Sequence, residues 1–370
     1  MARIVCGVCG EGRGHAARML VILGKLAHIH QFHVFASGDA YRLLRQRYDD
    51  DQVQITEIPG LRFRYTDQRV SYVKSLAAAV PFVFRLRSLV AGVRQAMEAA
   101  RPDLVITDFE PLTARAARDL DVPLMSVDHQ RFITDVDLTP FGRTLALKGL
   151  AMRQAIELYY SWQQLSVVSS FFGSHLPSTA DRIHTGVLLR EQIRRALPRN
   201  DGHLLVYLRK HTSPQLLQLL RQSGRPTIVY GHHAAEQQGN LQFKPIAPDE
   251  FCADLSSCAA LICTAGNQLV GEAIYLQKPV LAFPEPGNAE QVMNGSFLNR
   301  MGAGRALPLQ ELTNAELDTF LQRGDEYRQA VPRNSVVGNG TVFQAIEGFV
   351  GSPLPSHIEP VRTGGALEVA

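Results

Sequence analysis

The stretch R-I-V-C-G-V-C-G-E-G-R-G-H, Arg3 to His15, decides how the rest of the chain is read. Arg3–Val8 is a short apolar, β-branched run that predicts a strand. Glycines stand at 7, 10, 12 and 14, and Ala16–His28 then carries apolar residues at helical spacing. Strand, glycine loop and helix in that order make a β-loop-α unit. Gly12 and Gly14 allow a tight turn and let the backbone approach a ligand at the start of the helix. His15 therefore falls where the carboxyl ends of parallel strands place ligands. An imidazole with a reference pKa of ~6.5 suits a general base at neutral pH. A capping or solvated histidine is the plainer alternative.

The same punctuation recurs outward from there. Asp103–Thr107 precedes the helical pattern Leu112–Leu120, and T-D-F-E-P places Asp108 and Glu110 at the end of that strand. If the two strands are neighbours, Asp108 can orient the His15 ring and stabilise its imidazolium. Helix capping is the alternative for Asp108, and a helix N-terminal charge for Glu110. Further strands are expected at Phe32–Ala36, Val53–Ile58, Leu124–Val127, Leu165–Ser169 and Ile183–Gly186. A second series runs through Leu204–Leu208, Thr227–Tyr230, Gln242–Phe243, Ala260–Cys263 and Val280–Ala282, with Thr212-Ser213-Pro214 opening a helix over Pro214–Arg221. Alternation of this kind predicts an α/β protein with two parallel sheets covered by helices. The expected domains are 1–190 and 191–350, with a loosely ordered Pro- and Gly-rich tail over 351–370.

The 370 residues, 45% hydrophobic and 20% charged, have ordinary globular composition, and the length favours two domains because single cores stop growing near ~250–300 residues. Residues 1–190 hold 23 Lys and Arg against 18 Asp and Glu, whereas the remainder holds 15 against 17. The excess gathers in 61–101, where Arg62, Arg64, Arg69, Lys74, Arg85, Arg87, Arg94 and Arg101 oppose only Asp67 and Glu98, among aromatics such as Phe63, Phe82 and Phe84. Such a segment suits an anionic membrane surface, the alternative being a solvated helix face over buried aromatics. No nucleic-acid reading motif accompanies it.

Ser75 to Phe84, the longest uncharged apolar stretch, contains Pro81 and is about half the ~20 residues of a crossing helix, so no membrane span is expected. Glu11 and Arg13 stand where a secretory signal is apolar, so the expected location is the cytoplasm, peripheral to the membrane's inner face. Five cysteines with one C-x-x-C pair, Cys6 and Cys9, read as small packing residues rather than a disulfide framework or zinc site. The D-x-D pairs Asp119/Asp121 and Asp135/Asp137 are discounted, because D-x-D is common by chance, and no metal or other cofactor is expected.

In the second half, T-A-G-N-Q-L-V-G-E-A (Thr264 to Ala273) follows a strand, so Gly266 and the amides after it open a helix that attracts phosphate. K-P-V-L-A-F-P-E-P-G-N-A-E-Q-V-M-N (Lys278 to Asn294) then presents Asn288, Glu290 and Gln291 in a loop suited to binding hydroxyls. Together, 264–294 resembles the donor-nucleotide motif of GT-B glycosyltransferases of the family 1 and family 28 kind. The resemblance implies that Glu272 binds the nucleotide ribose, that Gly266 and Asn267 hold the diphosphate, and that Glu290 and Gln291 read the donor sugar. It also places the nucleobase against the backbone of Ile246. The N-terminal G-x-G-x-G-H is similar to the acceptor-side loop of these enzymes (Gly12, Gly14, with Glu110 nearby), whose histidine is a base paired with an aspartate; those positions are His15 and Asp108. P-D-L-V-I-T-D-F-E-P and V-D-H-Q (Val127 to Gln130) resemble a bacterial and archaeal subgroup related to family 28.

Three positions depart from the pattern: Thr264, Gln268-Leu269, and Arg209-Lys210-His211 in place of a glycine-rich loop. The resemblance implies two Rossmann-like domains facing across a cleft and an inverting transfer from a nucleotide-sugar, UDP being the expected carrier, to an acceptor hydroxyl, a lipid-linked or cell-envelope glycan included. Competing readings are an epimerase or hydrolase on the same fold, a non-catalytic sugar-nucleotide-binding subunit, and an oxidoreductase whose fingerprint is the first glycine loop with Asp39.

Overall fold

A computed structural model describes residues 1–61, 64–66, 69–208, 213–231 and 236–351. The described chain forms two compact units, one of residues 1–66, 70–188 and 338–351 and the other of Arg69 and residues 189–337.

The first unit opens with β1 (Arg3–Val8), α1 (Arg13–Leu26), β2 (Gln31–Ala36), α2 (Gly38–Arg45) and β3 (Gln54–Glu57). A two-stranded ribbon, β4 (Arg64–Thr66) and β5 (Arg69–Ser71), leads into the long helix α3 (Tyr72–Ala100). Then come β6 (Leu104–Asp108), α4 (Pro111–Asp119), β7 (Leu124–Asp128), α5 (Phe132–Asp135), α6 (Arg143–Tyr159), β8 (Leu165–Ser169) and β9 (Arg182–Thr185). Seven strands pair in the order β3-β2-β1-β6-β7-β8-β9, all parallel. Successive residues of β1 face opposite sides: Ile4, Cys6 and Val8 join one buried cluster, Val5 the other. A strand covered on both faces has no polar side, which is why these segments read as unbroken apolar runs. Each such side chain contributes about 1.5–3 kcal/mol by leaving water.

The second unit runs α7 (Glu191–Arg195), β10 (Leu204–Tyr207), α8 (Pro214–Gln222), β11 (Thr227–Tyr230), β12 (Glu236–Gln238), β13 (Leu241–Lys244), α9 (Pro248–Ser257) and β14 (Ala260–Cys263). It continues with α10 (Asn267–Tyr275), β15 (Val280–Ala282), α11 (Ala289–Arg300), β16 (Gly304–Ala306), α12 (Asn314–Gln322) and α13 (Gly324–Gln329). Its sheet order is β12-β13-β11-β10-β14-β15-β16, parallel except for the edge pair β12/β13. In both sheets the order reverses next to the first strand, so the crevices lie at the carboxyl ends of β1/β6 and β10/β14.

Two expectations change. The domain end placed at 350 moves, because α14 (Asn339–Gly351) belongs to the first unit and buries Val342, Ala345, Ile346 and Phe349 in its core. The apolar stretch ending at Phe84 is only part of α3, whose segment Val73–Ala100 is long and apolar enough to cross a bilayer. Pro81 sits inside that helix, and a proline there removes one backbone hydrogen bond and kinks or weakens the helix locally. Arg62, Phe63, Asp67, Arg209-Lys210-His211, the Thr212 cap and the tail from 352 lie outside the described residues.

Candidate functional site

The catalytic expectation rests on whether β1 and β6 are neighbours. They are, with Val8 opposite Asp108 in register, and the Cys9 N–H donates to the Asp108 carbonyl at 3.0 Å. The chain then turns through Gly12, whose φ of 81° and ψ of 177° suit only glycine, and enters α1. His15 lies in the first turn of α1. Its Nδ1 is 2.8 Å from Asp108 Oδ1.

Arg18, one turn further along α1, closes a fork on the same carboxylate, Nε to Oδ2 at 2.8 Å and Nη2 to Oδ1 at 2.8 Å. Arg18 Nη2 also lies 3.3 Å from His15 Nδ1. Burial works against the Asp108 charge, but Arg18 and then His15 more than offset it, so the carboxyl is held below its ordinary range. An ionised carboxylate only accepts, so His15 Nδ1 carries the hydrogen between the two groups.

Glu110, expected on the acceptor side, is instead the N-cap of α4. Its carboxylate accepts from Leu112 N (2.8 Å), Thr113 N (2.7 Å) and Thr113 Oγ1 (2.6 Å), and burial pushes its pKa up. A side chain at Gly7 would meet Thr113 Oγ1 at 1.9 Å, so that glycine lets the cap approach β1. Between Asp108 and Glu110, Phe109 takes a φ of 54°, held by its ring stacking on Tyr159 at 4.7 Å. Backbone strain of this kind persists where surrounding contacts over-determine it.

Asp128, at the end of the next strand β7, accepts from Arg131 N at 2.9 Å and the Tyr160 hydroxyl at 3.1 Å. Burial pushes its pKa up, partly countered by Arg131, and Asp108 and Arg18 are both close enough to act on it. Its neighbour His129 is a core residue, bonded to Ser170 Oγ at 2.8 Å and stacked on Phe132. Of the D-x-D pairs, Asp135 is engaged by Arg182, His184 and Thr134, and Asp137 accepts from Thr139 N.

The second unit holds the nucleotide-binding candidates. β14 runs through Thr264 and Ala265 to Gly266, the N-cap of α10, and Asn294 Nδ2 pins the turn by donating to the Ala265 carbonyl at 3.0 Å. Gly266 adopts an ordinary extended conformation, and a Cβ there would meet nothing within 4 Å. Its value is room above the N-terminus of α10, whose first turn has no acidic residue to oppose an anion.

Glu272 lies two turns in and is 1% exposed. Both its oxygens are taken by Arg190, Nε at 2.9 Å and Nη2 at 2.6 Å, and Gln268 Nε2 donates at 3.0 Å. Burial opposes the Arg190 charge, but Glu272 outweighs it and holds the guanidinium pKa above its usual value. The carboxylate expected on a ribose is thus already paired.

On α11, Asn288 is the N-cap, accepting from Gln291 N at 3.2 Å, rather than a free hydroxyl binder. Gln291 is buried, and its amide oxygen holds the Pro/Gly loop through the Glu285 N–H at 2.8 Å. Glu290 is half-buried in the first turn of α11, and Ile246 is half-buried just before α9. Sequence reasoning missed Arg18, Asp128 and Arg190. Only Arg18 left a local signal: it shares a face with His15 at i,i+3, on a helix otherwise burying Met19, Ile22 and Leu23.

A model of the family described as Glycosyl transferase family 1 matches residues 2–324. An uncharacterized glycosyltransferase of Methanosarcina mazei is 22% identical over 338 residues, covering 82% of this chain and 85% of the relative. Among solved structures, the glycotransferase of kitacinnamycin aligns with a TM-score of 0.67 at 14% identity, over 96% of this chain and 99% of that one. Phytolacca americana UGT2, complexed with UDP-2fluoro-glucose and pterostilbene, aligns at 0.66 and 15%, over 95% and 100%. These likenesses identify the two parallel-sheet units as the GT-B fold. With its model matched across most of the length, this chain belongs to glycosyl transferase family 1 and is a glycosyltransferase.

Proposed function

We propose that the protein transfers a glycosyl group from a UDP-sugar to an acceptor hydroxyl, inverting the anomeric carbon. The observation that carries this reading is the buried His15–Asp108–Arg18 cluster at the crevice of the first sheet. His15 Nε2 takes the acceptor's proton as the oxygen forms its bond to the anomeric carbon. The bond from that carbon to the diphosphate oxygen breaks on the opposite face, and the nucleoside diphosphate leaves with the electron pair. One displacement gives inversion. Asp108 holds the tautomer and stabilises the imidazolium.

In the same reading the second unit binds the donor. The N-terminus of α10, at Gly266 and Asn267, takes the leaving diphosphate, its helix dipole supplying charge stabilisation that displacement requires. Glu272 takes the ribose hydroxyls once Arg190 releases it, the freed guanidinium being a further cation for the phosphates. Glu290 and Gln291 read the sugar, and the Ile246 backbone meets the base. UGT2, seen with a UDP-sugar analogue, makes UDP the carrier to test first. The acceptor is proposed to be lipid-linked.

Product analysis tests the reaction. Incubated with UDP-sugars and a panel of hydroxyl acceptors, the protein should form a glycoside of inverted configuration, and EDTA should leave the rate unchanged. Free sugar or an epimerised donor as the sole product, formed without acceptor, contradicts the proposal.

A further inference from the structure

We infer that the first unit docks on an anionic lipid surface through the N-terminal half of α3 and the outer face of α6. Apolar side chains that a soluble helix would bury lie open on α3: Val73 is 81% exposed, Leu76 73%, Val83 61% and Phe84 86%. At 3.6 residues per turn these four fall within an arc of about 100°. The inward face, by contrast, packs Phe82, Leu86, Val90, Val93 and Met97 into the core.

α6 repeats the pattern with Leu147 67% and Leu158 75% exposed. Its last residue, Tyr159, packs against the same apolar cluster as Phe82 and Leu86 of α3. Scattered apolar residues on a surface mean little; open apolar stripes on two helices of one unit mark an interaction face.

Charge selects the occupant. From 68 to 97 the chain has no carboxylate but five cations, with exposed Lys74, Arg85 and Arg87 beside the stripe. On α6, Arg143 and Lys148 are exposed, while Arg153 turns inward to the Ile133 and Val136 carbonyls and one acid, Glu157, lies beside Leu158. An apolar stripe with exposed cations beside it, as on α3, fits the boundary between acidic headgroups and acyl chains.

Packing, not length, excludes a crossing, because only part of the helix is free of the core. Val73 to Arg87 spans about 21 Å of helix against the ~30 Å of a hydrocarbon core. Beyond Arg87 the helix is anchored by Val93 and Met97 in the protein's own interior. The helix therefore lies along the interface.

Vesicle flotation of the full chain tests this without reference to any reaction, so its outcome is separate from that of the proposed transfer. The protein should float with phosphatidylcholine vesicles containing phosphatidylglycerol at low salt, and less at high salt or with phosphatidylcholine alone. R85Q/R87Q should weaken partition on anionic vesicles about 25-fold, about fivefold per cation. V83E/F84E should abolish it, with circular dichroism and Tm confirming the fold. Absence of flotation, or flotation indifferent to V83E/F84E, overturns the inference. A concentration-dependent dimer that V83E/F84E disperses, in place of flotation, gives the face to a second copy and overturns it equally.

Discussion

Arg18 changes what the His15–Asp108 pair is electrically. The guanidinium fork holds the Asp108 carboxyl below its ordinary range against the cost of burial. Arg18→Gln should therefore let the cluster take its proton at higher pH. Asp108 is then protonated sooner as pH falls, and the acidic limb of the kcat/KM profile, which needs the ionised carboxylate to orient the ring, should move up. Arg18→Lys should restore most of it. A uniform loss of rate with the limb unmoved would reduce Arg18 to packing. Sequence spacing reached His15 and Asp108 because each ends a strand-loop unit with a recognisable pattern. Arg190 on Glu272 could not be read, since 82 residues separate the partners and no local pattern joins them.

At the scale of elements, the glycine loop is where conformation and chemistry meet. Gly12 starts α1 at φ 81° and ψ 177°, a region essentially closed to other residues, and that turn sets where His15 lies. Gly12→Ala should cost about 1–3 kcal/mol, read as a fall in Tm of several degrees. It should also lower turnover more than donor affinity, because the displaced residue belongs to the first unit. An unchanged Tm would show that the loop tolerates another conformation. The central strands were legible as short apolar runs because both faces of each sheet are covered. The edge strands β12 and β16, three residues each, lacked such a run. α3 was misjudged because Pro81, Arg85 and Arg87 interrupt a pattern that the helix itself carries through.

For the whole molecule, order along the chain and membership in a unit part company after residue 337. α14 follows the second unit in sequence but completes the core of the first, a pairing that composition could not reveal. Phe349→Ala should destabilise by about 3–5 kcal/mol. Hydrogen exchange should quicken in β1 and β6 and not in β10 and β14. Equal quickening in all four strands would contradict the assignment. The central claim is that His15 accepts the acceptor's proton, and single-turnover kinetics of His15→Ala with donor and acceptor at saturation tests it most directly. The rate should fall by about 10²–10⁴-fold, with UDP affinity unchanged. A rate equal to that of the unaltered protein would contradict the account.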